Sequence, residues 1–160
     1  LIAIIADTHM PKGARRLPDR CRELIAAAEA TIHAGDLTGV AVLEQIRELC
    51  PRLHAVHGNV DEATLRRLLP ESEEVAVGDR LVAVTHDAGP AKGRLARLRH
   101  RFPSADAVVF GHSHLPLLEE ENGFQIFNPG SPTERRRAPR PSMGLLSRRP
   151  SGLVFEHVWL

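Results

Sequence analysis

The stretch LIAIIADTH, residues 1–9, decides how the rest of the chain is read. An unbroken apolar run ends abruptly in Asp7-Thr8-His9, a carboxylate and an imidazole two residues apart. The run is far shorter than the ~18 residues a membrane helix needs. It carries no basic n-region and passes straight into polar residues, so it reads as a core strand rather than a signal peptide. A strand over residues 1–6 is therefore expected, with chemistry at its carboxyl end.

Working outward, the same design recurs. Residues 19–30 are expected to be helical, with Asp19 as N-cap and Leu24, Ile25 and Ala28 on one face. Residues 31–34 read as a short strand. Residues 39–49 carry Val42, Leu43, Ile46 and Leu49 at helical spacing, stopped by Pro51. Residues 53–57 make a third strand, and 62–69 a short helix before Pro70. Such β-α-β-α-β alternation predicts parallel strands joined by right-handed crossovers, with ligands bound at the strands' carboxyl ends. The second half is richer in strands. Residues 73–78 and 79–86 read as a hairpin around Gly78-Asp79. Residues 91–101 read as a basic helix and 106–111 as a buried strand. A second hairpin, 115–121 with 123–128, turns at Asn122-Gly123, and two final strands, 142–147 and 152–160, flank 148–151. Residues 129–152, rich in Pro, Arg, Ser and Gly, read as a solvated loop.

Composition narrows the class. The 160 residues suit a single domain, 42% hydrophobic and 26% charged, with a formal net charge of +1. That balance argues against a nucleic-acid coat or a membrane surface. The aromatic content of 4% leaves few stacking platforms for bases. Cys21 and Cys50 are the only cysteines and form no CxxC pair, so neither a disulfide framework nor a thiolate zinc site is expected, and a reducing, cytoplasmic compartment fits.

The strand ends hold the informative residues. After Asp7 and His9 come Gly35-Asp36, then Gly58-Asn59-Val60-Asp61, then His86-Asp87, then Gly111-His112-Ser113-His114. Each of these five strand ends carries a group able to bind a metal. Residues i and i+2 of an extended chain point to one side, which would let Asp7 and His9 converge on one ion, and His112 and His114 on one site. Mixed imidazole and carboxylate donors suit Zn, Mn, Fe, Co or Ni. The glycines before Asp36, Asn59 and His112 permit sharp turns and close backbone approach. A carboxylate has two oxygens to share between ions ~3.5–4 Å apart, and Asp36 is the best candidate for sharing. Each feature has an ordinary reading: D-x-H as a turn, Gly-Asp and Gly-Asn as common turns, His86 as a hydrogen-bonded strand-end histidine. It is their joint occurrence that points to a metal centre.

The ordered words IIADTHM, HAGDLTG, VHGNVDE, VFGHSHLP and NPGSPTERR resemble the calcineurin-like metallophosphoesterases, in particular their small prokaryotic phosphodiesterase branch, essentially end to end. The resemblance implies an α/β fold, a four-layer α/β/β/α sandwich of two mixed β-sheets flanked by helices, formed by residues 1–160 as one domain. It implies two divalent transition-metal ions, manganese foremost with Ni, Co, Fe or Zn as alternatives. Asp7, His9 and His114 would hold the first, Asn59, His86 and His112 the second, and Asp36 would bridge them. Asp36, Asp61 and His112 are the implied catalytic groups. The two ions would activate a bridging water for in-line attack on the phosphorus of a small phosphoester, nucleotide-like substrates among them. No membrane or nucleic-acid partner is expected, and a homo-oligomer is compatible.

The sequence departs from the family at Val60, where many members carry a histidine that assists the leaving group and this branch often a cysteine. Valine donates no proton, so Asp61 and His57 become the nearby candidates, and substrates with acidic leaving alcohols are expected to be favoured. His33 is expected to hydrogen-bond near the site or to pack, not to ligate. Arg135 or a neighbour in the run 135–137 is a candidate phosphate contact, and Asp87 a candidate for altering hydrogen bonds behind the ligands. Two other readings stand beside the diesterase. One is a phosphomonoesterase with the same ions. The other is a non-catalytic protein-binding scaffold resembling the retromer subunit, which a complete ligand set disfavours.

Overall fold

The computed structural model describes residues 1–50 and 52–160. Two five-stranded mixed sheets form the centre. In the first, β1 (Ile2–Ile5), β2 (Ala30–His33) and β3 (Leu53–Ala55) run parallel, and β9 (Ser142–Arg149) and β10 (Gly152–Trp159) extend it antiparallel beyond β1. In the second, β5 (Arg80–Thr85), β6 (Ala107–Val109) and β8 (Phe124–Asn128) run parallel, with β4 (Ser72–Val77) and β7 (Leu117–Glu121) as antiparallel edges. The helices are α1 (Asp19–Ala27), α2 (Val40–Leu49), α3 (Ala63–Leu68) and α4 (Arg94–Arg101).

The two-residue period of a strand explains the layering. From β1 and the residue that follows it, Ile2, Ile4 and Ala6 face the second sheet, where they meet Val82 and Val84 of β5 and Ala107 and Val109 of β6. The alternate residues, Ala3 and Ile5, face outward onto Cys21 and Ile25 of α1 and Leu43 and Ile46 of α2. On the second sheet, Ala83 and Val108 face outward onto Leu98 of α4 and Phe102. The result is the expected order of helix, sheet, sheet, helix.

Several boundaries differ from expectation. Helix α1 ends at Ala27 rather than residue 30, because Ala28 is already extended and Ala30 pairs with Ile2 in the sheet. Its N-cap is Pro18 without a side-chain cap bond, and Asp19 lies inside the first turn, where its charge still complements the helix dipole. Helix α4 starts at Arg94, not 91, because Gly93 enters it with φ +70°. Helix α2 ends at Leu49 as expected, while the stop assigned to Pro51 lies outside the described residues. The loop after β8 is not simply solvated: Ser131 and Ala138 are buried. No helix among the described residues is long and apolar enough to cross a membrane.

Candidate metal centre

The five ligand-bearing segments follow β1, β2, β3, β5 and β6, all parallel strands, so their carboxyl ends open on one side of the sandwich. There the side chains gather in two groups. Asp7, His9 and His114 place one donor atom each within 4.8 Å of one another. Asp36, His86 and His112 do the same. Asn59 joins the second group, its Oδ1 lying 3.0 Å from His86 Nε2 and 3.1 Å from His112 Nδ1. Asp36 stands between the groups: its Oδ2 is 3.5 Å from His9 Nε2 and 3.2 Å from His86 Nε2. All seven residues singled out from the sequence are therefore together.

They converge by a different backbone route from the one expected. Asp7, His9, Asp36, His112 and His114 all have positive φ, from 44° to 70°. They do not sit in extended chain. Left-handed backbone is costly for non-glycine residues and persists where surrounding structure enforces it, commonly at functional sites. His112 and His114 consequently separate, one into each group. The glycines serve close approach. A Cβ on Gly58 would lie 2.0 Å from Asp36 Oδ1, and one on Gly35 would lie 2.6 Å from His86 Nδ1.

Main-chain contacts orient the imidazoles. His114 Nδ1–H donates to the carbonyl of Glu134 at 2.8 Å, and His86 Nδ1–H to that of Ala34 at 2.8 Å. In the neutral rings this leaves each Nε2 as a lone pair aimed into the site. His114 Nε2 then faces His9 Nε2 at 3.2 Å and Asp7 Oδ1 at 3.5 Å. His33 is completely buried and, as expected, hydrogen-bonds near the site. Its Nδ1 accepts the N–H of Gly35 at 3.2 Å, so Nε2–H donates to Thr8 Oγ1 at 3.1 Å.

The electrostatics follow from burial. Burial pushes Asp7 up to about 7, against the charge of His86 and with that of Asp36. It pushes His114 down to about 4 and His33 down to about 3, and also lowers His9, with the cation of Arg136 adding to the effect on His9 and His114. Burial opposes ionisation of Asp36 too, but the hydrogen bond and charge of His86 and the N–H of Val60 outweigh it and hold the carboxyl below its usual range. The reciprocal contacts hold His86 above its usual value despite burial. Imidazole nitrogens and carboxylate oxygens thus crowd together in a buried space. Asp7 Oδ2 has no hydrogen-bond partner at all among the described residues. Such a donor set fits divalent transition-metal cations.

Other expectations fare differently. Asp61, expected among the catalytic groups, is buried, and its carboxylate accepts the backbone N–H of Gly58 at 2.6 Å, Thr38 at 2.7 Å and Asp36 at 3.0 Å. It ties the loop after β2 to the loop after β3. Arg135 turns back to the carbonyl of Ala138 at 2.9 Å, and it is Arg136 whose charge reaches Asp7, His9 and His114. Asp87 Oδ1 accepts the N–H of Gly89 at 2.8 Å, a local turn. Residues that sequence reading missed include Ser131, whose Oγ donates to the carbonyl of Asp7 at 2.8 Å, and Arg66. The Arg66 guanidinium donates to the carbonyls of Asn59 and Asp61, spanning exposed Val60. Ser131 had a signal in the NPGSPTE word; the carbonyls of Ala34 and Glu134 had none, since every residue carries one.

The family model of the calcineurin-like phosphoesterase superfamily domain matches residues 1–149. A probable metallophosphoesterase of Methanothermobacter thermautotrophicus is 34% identical over 142 residues, which are 85% of this chain and 79% of that protein. Phosphodiesterase YfcE of Escherichia coli is 28% identical over 110 residues, 66% of this chain and 58% of that protein. Among solved structures, wild-type Vps29 from Entamoeba histolytica complexed with Zn²⁺ superposes with a TM-score of 0.78 at 23% identity, over 99% of this chain and 98% of that one.

Proposed function

Because the chain belongs to the calcineurin-like phosphoesterase superfamily, we propose that residues 1–160 act as one metal-dependent phosphodiesterase domain working on a small phosphoester. Asp7, His9 and His114 would hold one divalent ion, Asn59, His86 and His112 a second, with Asp36 shared. Manganese is the first candidate, ahead of Ni, Co, Fe or Zn. When bound, such ions acidify a water nucleophile and offset charge on the phosphoryl oxygens. The observation that carries the reading is the Asp36 carboxylate, with one oxygen between an imidazole of each group.

The chain's own residues supply the geometry. The carbonyls of Ala34 and Glu134 fix which nitrogen of His86 and His114 is a donor to metal. Asp61 acts as a positioning residue, joining the Asp36 and Asn59 loops through three backbone N–H groups. Asn128 holds the GHSH loop from behind, its Nδ2 donating to the carbonyl of Gly111 at 2.9 Å and to Ser113 Oγ at 3.1 Å. With Val60 at the rim and Asp61 committed to the backbone, positions 60 and 61 donate no proton to the leaving group, which favours diesters of acidic alcohols such as phenols.

The test is hydrolysis of bis(4-nitrophenyl) phosphate and 4-nitrophenyl phosphate after chelation and reloading with Mn, Ni, Co, Fe or Zn. Diester turnover should return with metal and exceed monoester turnover. Asp36→Asn and His112→Ala should each lose more than about 100-fold while keeping their circular dichroism. Wild-type rates in pure, metal-loaded Asp36→Asn would refute the assignment. Monoester preference would make the chain a phosphomonoesterase, and metal binding without turnover would favour a scaffold, the alternative in keeping with its likeness in fold to Vps29.

A further inference from the structure

Beside the second ligand group lies a cavity of about 200 Å³ lined by His57, Asn59, Arg66, Thr85, His86 and Asp87, among others. A space of ~150 Å³ holds a benzene-sized ring. Its wall therefore combines two proposed metal ligands with room for one arm of a diester. Most of its polar groups are already engaged. Asp87 Oδ1 accepts from Gly89, Glu71 pairs with Arg101 at 3.6 Å, and Asn59 and His86 face each other.

Arg66 differs. Its Nε donates to the carbonyl of Asp61 at 3.0 Å and its Nη2 to that of Asn59, while Nη1 has no hydrogen-bond partner among the described residues. The guanidinium is thereby clamped across Val60, which is 45% exposed and has no polar side-chain atom. A cation fixed in advance, with unused N–H groups beside the reacting centre, is the arrangement that stabilises developing negative charge without reorganisation. Two carboxylates on the same wall, Glu71 and Asp87, disfavour an arm that carries a second phosphate.

Resting on the phosphodiesterase reading above, we propose that this cavity seats the uncharged leaving-alcohol arm of the diester and that Arg66 stabilises its departing oxygen, in place of a proton donor at position 60. The oxygen of a water molecule bonds to phosphorus as its proton passes to solvent. The ester P–O bond breaks, and its electron pair leaves on the alcohol oxygen. That oxygen is met by the Arg66 N–H groups and then takes a proton from solvent water.

The experiment uses diesters with one constant methyl arm and a series of phenol leaving groups, on wild type, Arg66→Lys and Arg66→Gln, each with its metal content measured. Arg66→Gln should lose less than about 10-fold on the most acidic phenol and about 100-fold or more on the least acidic, with Arg66→Lys between them. A uniform loss across the series, or none, overturns the proposal, because a residue that only supports the loop affects all leaving groups alike. A second readout is independent of turnover and metal: 4-nitrophenolate titrated into the metal-free protein should shift the Arg66 Nε–H and His57 resonances. Shifts confined to other regions count against the cavity. Nitrophenolate binding at Arg66 with no diester turnover by metal-loaded wild type overturns both the reaction and the role of Arg66 in it, leaving a binding pocket alone.

Discussion

Replacing Asp7 with asparagine separates the cost of burying this carboxylate from its use. Asp7 is fully buried; Oδ1 accepts the N–H of His112 at 3.1 Å and Oδ2 has no partner among the described residues. Burial raises its pKa from 3.8 to about 7. A raised folded-state pKa means that folding favours the protonated form. The contribution to stability is whole below pH 3.8 and is lost as pH rises to about 7. A shift of roughly three units at ~1.4 kcal/mol each is ~4 kcal/mol. Asparagine retains an acceptor for His112 and cannot ionise. In chelator, the stability of Asp7→Asn minus that of wild type should be flat below pH 4, rise by ~4 kcal/mol between pH 4 and 7, and level off above. A fixed cost of burying the amide moves all points equally, and the histidines other than His86 are not coupled to Asp7, so the difference reports Asp7 together with its coupling to His86. Urea unfolding at a series of pH values measures it. Mn²⁺ at 100 times its Kd should narrow that gap above pH 7 by ~2.7 kcal/mol, because Asp7→Asn lacks the charge that binds it. Parallel pH profiles in chelator would refute the reasoning, since Asp7 would then ionise as freely folded as unfolded.

Asp61→Ala orphans three backbone N–H groups and should destabilise the protein by about 3–9 kcal/mol in urea, at about 1–3 kcal/mol per unsatisfied group; a loss below about 1 kcal/mol would mean that water replaces the carboxylate. His33, held near 3 by burial, should make the metal-free protein lose stability as pH falls from 6.5 towards 3. His33→Asn, which keeps an acceptor for Gly35, should then move the acid-unfolding midpoint to lower pH, and an unchanged midpoint would count against it. Val60→His should raise turnover of a dialkyl diester at least about tenfold while changing aryl diesters little; equal gains on both would show that leaving-group protonation is not what wild type lacks.

Much of the site was legible because its parts are residue types at marked places. An apolar run stops, and the next residue is a carboxylate, an amide or an imidazole, preceded at positions 35, 58 and 111 by glycine. Element boundaries were less legible where local pattern and sheet pairing disagree. Residues 28–30 continue the helical alanine pattern, yet Ala30 pairs with Ile2.

The sequence by itself determined the inventory: two sheets' worth of apolar runs, the seven candidate ligands at their ends, and an aliphatic residue at position 60. Donor type and apolar periodicity are properties of the covalent chain, so they survive without coordinates. Tertiary structure decided the assignments. His112 and His114, one residue apart, join opposite groups because their positive φ turns them out of the extended geometry that would align them. Asp61 serves the backbone rather than the solvent face because two loops, distant in sequence, bring three N–H groups to it. Arg66 gains its place beside the cavity locally, through the carbonyls of Asn59 and Asp61 in the turn that precedes α3. Every residue carries a main-chain N–H and carbonyl, so composition cannot say which of them will be met; only the packing of the strands that end there can.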